Sequence, residues 1–155
     1  GDCIFLVASL ASRAHVSFRA VVFEANPSIL PVLRGNVWLN PSVGSTIVVR
    51  ESFVGAPSLA TGNKHTLVVP SSSVHAHGTS PGRYIENLKW LDSALSFEVE
   101  KTSLDEEVVG DAPVDILMVS VNGGEASVLA GAKRLLAAHL IRRLFLLTED
   151  VQGCR

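Results

Sequence analysis

Two carboxylates and one polar turn carry most of the chemistry this chain can do. Glu24 ends the β-branched and aromatic run of residues 16–23 and opens Glu24-Ala25-Asn26-Pro27. A carboxylate at the end of a buried strand offers two acceptor oxygens, which suits the paired hydroxyls of a ribose; the same group would serve equally as a solvated cap for the next helix. Ser120-Val121-Asn122-Gly123-Gly124-Glu125 breaks a second apolar run. Its glycines allow positive φ and close backbone approach, as either a ligand-binding turn or a plain tight turn requires. Glu125 would start a helix, where the macrodipole favours a negative charge by ~0.3–1 kcal/mol, so a structural role is as open to it as a catalytic one. Ser52-Phe53-Val54 ends a third run.

Other reactive types are less organised. His75-Ala76-His77 puts two imidazoles on one side of an extended segment, but the spacing marks no third metal ligand. Ser71, Ser72 and Ser73 lack a nucleophile elbow. Cys3 and Cys154 lie at opposite ends without CxxC spacing, which points to neither a zinc site nor a disulfide framework and makes a reducing, cytoplasmic compartment the default.

The elements that must position these groups follow from periodicity. Ile4, Leu6, Val7, Leu10 and Ala11 have helical spacing, and residues 16–23 read as a buried strand. Asn26 is a candidate cap, with Pro27 at the first position of a helix carrying Ile29, Leu30, Leu33 and Val37. Residues 46–54 form the next expected strand, 66–69 a short one, and the Pro, Gly, Ser and Thr of the 55–84 region a long loop suited to a flap. Leu95, Phe97 and Val99 alternate with Ser96, Glu98 and Glu100. Strand 115–121, helix 125–139 and strand 143–148 complete the order, with Asp105 at a turn or helix start and Leu33, Trp38, Trp90 and Met118 in a core or interface. Alternating strands and helices imply βαβ crossovers and a Rossmann-like, doubly wound, mainly parallel α/β sheet, with ligands beyond the carboxyl ends of the strands.

The totals bound the function. A chain of 155 residues, 47% hydrophobic and 18% charged, is the size of one domain. A net charge of −2 without charge blocks provides no field for gathering nucleic acid or anionic lipid. The apolar stretch at residues 3–11 is too short for a membrane span, which needs roughly 20 residues, and it has no basic flank or initiator methionine. The expectation is a piece of a longer chain.

Four stretches together resemble the FkbM family of S-adenosylmethionine-dependent methyltransferases. They are Val21-Val22-Phe23-Glu24-Ala25-Asn26-Pro27, Leu33-Arg34-Gly35-Asn36-Val37-Trp38-Leu39-Asn40, Thr102-Ser103-Leu104-Asp105-Glu106, and Asp115 to Ala132, in which Asp115, Leu117, Val121, Gly123, Glu125, Val128, Leu129, Gly131 and Ala132 keep the pattern. The resemblance implies a class I methyltransferase fold that binds S-adenosyl-L-methionine and methylates an oxygen of a small molecule or sugar. It would give Glu24 the cofactor ribose, Asn26, Ser52 and Phe53 the ribose and adenine surroundings, and Gly1 the last trace of the glycine loop. Ser120, Asn122 and Glu125 would face the acceptor.

The resemblance further implies that the first strand and the last strands of the fold lie outside residues 1–155, leaving strand edges prone to self-association. Met118, Ser120 and Asn122 stand where the family has lysine, aspartate and glutamate. Serine cannot act as a general base at neutral pH. A binding or assembly module without catalysis, or a dinucleotide-dependent oxidoreductase using the same ribose-binding acid, are the competing expectations.

Overall fold

A computed structural model describes residues 2–57, 63–70, 94–121 and 124–147. The protein is mixed α/β, and its chain forms two compact units, Gly1–Ser52 and Phe53–Arg155. Gly1, Asn122, Gly123, Ser71 to Ser73, His75, His77, Trp90 and Cys154 lie outside the described residues.

In the first unit, α1 (Asp2–Arg13) turns Ile4, Phe5 and Ala8 toward Val43 and Ile47, and Phe18, Ala20, Val22 and Val37 complete that core. Arg13 in its last turn complements the macrodipole. The helix ends in a Schellman motif: the N–H of Val16 donates to Ala11 O at 2.9 Å and that of His15 to Ser12 O at 3.1 Å. His15 takes the left-handed position, at φ 55°, where glycine is usual.

Strand β1 (Ala20–Phe23) pairs in parallel with β2 (Ile47–Arg50), in the register Ala20 to Ile47 through Phe23 to Arg50. The crossover is made by α2 (Leu30–Leu39) and α3 (Pro41–Gly44). Leu30 and Leu33 are buried, whereas Trp38, expected in a core or interface, is 78% exposed. Pro31 sits in the first turn of α2, where its missing N–H has no partner to lose. Gly44 is required by proximity, since a Cβ there would lie 2.2 Å from Val37 O.

The expected strand 46–54 is two strands. Glu24 N–H donates to Arg50 O at 3.0 Å, the last bond between these two chain segments, and Phe53 and Val54 pair elsewhere as β3 (Phe53–Val54). β3 lies parallel to β5 (Ala94–Thr102), whose other edge takes β4 (Lys64–Pro70) antiparallel, giving the order β3-β5-β4. The alternation of β5 holds for Val99, buried, against Ser96, Glu98 and Glu100, exposed; Leu95 at its start is exposed as well.

Beyond β5 come α4 (Leu104–Glu107), β6 (Leu117–Val119), α5 (Glu125–Ala130), α6 (Lys133–Ala137) and β7 (Leu144–Leu146). β6 and β7 are parallel, extended by a bridge between Val114 and Ile141. The single helix expected over 125–139 is broken at Gly131 and Ala132, where the chain passes close to Gly55. α6 ends as α1 does: His139 at φ 55° occupies the left-handed position, and Leu140 N–H donates to Leu135 O at 2.9 Å.

Candidate functional site

Glu24 is the first residue beyond β1, at the carboxyl end of a parallel pair, and is half-buried. Its Oε1 accepts the N–H of Asn26 at 2.8 Å, closing a tight turn, while Oε2 accepts no hydrogen bond among the described residues. Asn26 is 6% exposed. Its Oδ1 accepts Ser28 N–H at 3.0 Å, and its main-chain oxygen accepts the N–H groups of Ile29 and Leu30 at 3.0 and 3.2 Å. Asn26 thus organises the turn into α2, four residues before the helix proper, and its Nδ2 donates to no described residue. One carboxylate oxygen and one buried amide donor remain available two residues apart.

Ser52, also buried, is the last residue of the first unit, and Phe53 opens the second. The Phe53 ring lies on that of His65, with centroids 3.9 Å apart and planes 18° from parallel. Burial first, and then the charge of Lys101, hold the His65 imidazole below its ordinary pKa of 6.5.

In the second unit, Ser120 is exposed directly after buried Val119. Glu125, 8% exposed, begins α5, and its Oε1 lies 3.4 Å from the N–H of Val121 that donates to it. This carboxylate therefore helps close the strand-to-helix turn. Gly124 has φ −90°, open to any residue, so the left-handed freedom expected of it is not used. Proximity accounts for it better: a Cβ there would meet Val121 Cγ2 at 3.3 Å. Asp115 is exposed on the strand approach, its Oδ1 paired with Arg142 Nη1 at 2.5 Å.

The stretches at 102–106 and 125–135 are built against one another. Ser103, fully buried, forms a capping box with Glu106: Ser103 N–H and Oγ–H donate to Glu106 Oε2 at 2.8 and 2.9 Å, and Glu106 N–H donates to Ser103 Oγ at 3.3 Å. The Ser103 main-chain N–H, then its hydroxyl, hold the Glu106 carboxyl below its ordinary range. Asp105 N–H donates to Gly131 O at 2.9 Å, and the Asp105 carboxylate accepts Arg134 N–H at 2.8 Å and Leu135 N–H at 3.1 Å. It caps α6 from outside that helix. Arg134 in turn donates from its guanidinium to the carbonyls of Gly110 at 2.9 Å, Asp105 at 3.2 Å and Val108.

Gly131 lets these parts meet. A Cβ on it would sit 2.4 Å from Gly55 O and 3.2 Å from Ser103 Cβ, while Ser127 Oγ accepts Ala56 N–H at 3.1 Å from the preceding turn. Reading the sequence identified Asp105, Gly131 and Glu125 as positions of interest but missed Arg134, Ser127 and His65. The sequence offered no signal for Arg134, because the helix expected over 125–139 puts it well inside; only the start of α6 at Lys133 brings its N–H to the Asp105 carboxylate.

Among the described residues no three His, Cys, Asp or Glu side chains are grouped as a metal site needs, and no helix is long and apolar enough to cross a membrane. Comparisons of the chain with protein-family models, with curated proteins and with solved structures found no match.

Proposed function

We propose that this chain belongs to a Rossmann-like, S-adenosylmethionine-dependent methyltransferase of FkbM type that methylates an oxygen of a small molecule or sugar. The observation that carries this reading is the pair at the carboxyl end of β1: Glu24, with Oε2 open, and the buried amide donor of Asn26. An acceptor and a donor at the end of a parallel strand suit the vicinal hydroxyls of a ribose. Two parallel pairings joined through helices, β1 with β2 by α2 and α3 and β6 with β7 by α5 and α6, are in keeping with βαβ construction.

The bound cofactor would supply an electrophilic methyl on sulfur. The chain's part is then positioning. Glu24 and Asn26 would hold the ribose, Ser52 and Phe53 would border the adenine, and Ser120 with Asn122 would orient the acceptor by hydrogen bonds without a charge. Glu125 fits a supporting role in this scheme, because its Oε1 already accepts the Val121 N–H. Gly1 would stand at the edge of the glycine loop.

Titration calorimetry of S-adenosylmethionine into the protein carrying residues 1–155 tests the reading. Heat of binding that Glu24→Gln weakens about tenfold or more, at unchanged thermal stability, is the expected result, because one charge-assisted bond is worth ~1.5–3 kcal/mol. Binding indifferent to Glu24→Gln, or no binding, overturns it; nicotinamide dinucleotide in the same cell separates the oxidoreductase alternative.

A second reading, a binding or assembly module without catalysis, is favoured by one observation. Ile116, Met118, Phe145 and Leu147 are between 43 and 53% exposed, and Met118 pairs with Phe145 on one face of the β6–β7 sheet. Sedimentation that depends on protein concentration and is abolished by Phe145→Lys would support this reading.

A further inference from the structure

The sheet β3-β5-β4 has an unusual fastening. Its outer strands, β3 and β4, are separated by β5, yet Phe53 of β3 and His65 of β4 reach over β5 and stack with centroids 3.9 Å apart. Register explains how. Phe53 is opposite Lys101 and His65 is opposite Val99, so the side chains of Phe53, His65, Val99 and Lys101 all project from the same face of the sheet. The two rings therefore close over the stretch of β5 between Val99 and Lys101.

We infer that this ring stack is a proton-operated latch that holds the outer strand β4 against the rest of the sheet. A neutral imidazole stacks on a phenyl ring with the area of both removed from water. A protonated one must carry a charge in a half-buried position beside the Lys101 ammonium. Lys101 is the cation facing His65 from β5, and β3 contributes only the uncharged Phe53 there. Lys64, Glu98 and Glu100 project from the opposite face by alternation, where Lys64 pairs with Glu98. No carboxylate on the stacked face of these strands offsets a charge on His65.

The direction of titration agrees with that geometry. Burial, and after it Lys101, lower the pKa of His65 from 6.5. A group whose folded pKa is depressed leaves stability intact above its ordinary value, where both states are neutral. As pH falls below 6.5 the unfolded or detached strand takes up the proton first, and the stability is lost progressively down to the folded pKa. The latch is closed at neutral and alkaline pH and weakened in acid. When it opens, one face of Phe53 is uncovered.

Hydrogen exchange of the full chain, read by mass spectrometry over residues 64–70 and corrected for the intrinsic pH dependence of exchange, tests it. Protection of β4 should fall about three- to tenfold between pH 8 and pH 5, beyond any change in β1 and β2. His65→Phe keeps a ring on Phe53 and removes the proton; it should keep β4 protected at both pH values. Lys101→Met should move the NMR titration of His65, assigned by its absence in His65→Gln, toward 6.5. Equal β4 protection at the two pH values in the unmodified chain, or a pH response that survives in His65→Phe, overturns the latch.

Discussion

Asp105 and Arg134 hold each other in a reciprocal cap. The Asp105 carboxylate accepts the main-chain N–H of Arg134 at 2.8 Å, and the Arg134 guanidinium donates to the main-chain oxygen of Asp105 at 3.2 Å. One pair of residues thus satisfies the start of α6 and the end of α4 together, two helices too short to stand without partners. The Arg134 guanidinium itself is directed onto carbonyls of the 105–110 segment.

Replacing Asp105 with Ala leaves the N–H groups of Arg134 and Leu135 without their acceptor and should cost about 1–2 kcal/mol. Asp105→Asn keeps one acceptor oxygen and should cost less. Urea denaturation followed by circular dichroism measures both; equal stability of all three chains would show the cap to be dispensable.

Gly131→Ala puts a methyl 2.4 Å from Gly55 O, a main-chain atom that cannot swing aside, and should destabilise by about 1–3 kcal/mol. Gly35→Ala is the matched control. Gly35 lies inside α2 with nothing within 4 Å of its added Cβ, so the same substitution should stabilise by about 0.4–1 kcal/mol. Thermal midpoints moving in opposite directions would distinguish close packing from helix propensity.

Acid should loosen the capping box. The Glu106 carboxyl is held below its ordinary 4.5, so its contribution is present above that value and is lost as pH falls from 4.5 through the folded pKa. Glu106→Gln should therefore show a flatter loss of stability below pH 4.5 than the unmodified chain. Denaturation midpoints measured from pH 7 to pH 3 give the comparison.

His139→Gly should stabilise the end of α6 by about 0.5–1 kcal/mol, because glycine enters the left-handed region without the clash that a Cβ makes with the following carbonyl. His15→Gly should act likewise at α1. Both histidines are held at φ 55°, and calorimetric melting of each variant checks the sign.

Much of this is legible in the residues themselves. Alternation placed Val99 inward and Glu98 and Glu100 outward, and the β-branched run before Glu24 located the end of β1. The missing parts are those whose cause is remote in sequence. Residues 46–54 look like one strand because β-branched and apolar residues stand on both sides of Arg50, Glu51 and Ser52, yet the chain changes sheets between Arg50 and Phe53, where pairing with β1 ends and pairing with β5 begins. Helices 1 and 6 end at histidines, a much weaker sequence signal for a left-handed turn than glycine.

Local sequence, then, determined where most of the strands and helices lie, that Glu24, Asn26 and Ser120 follow strands, and that Glu125 starts a helix, because period and turn chemistry act over a few residues. Tertiary structure alone decided what those groups do. Glu24 and Asn26 spend some of their bonding on the turn after β1 and leave some unused among the described residues; Glu125 closes a turn; and Asp105, Gly131 and Arg134 became one joint, since hydrogen bonds and close approach across some 30 residues of chain depend on packing that no local pattern encodes.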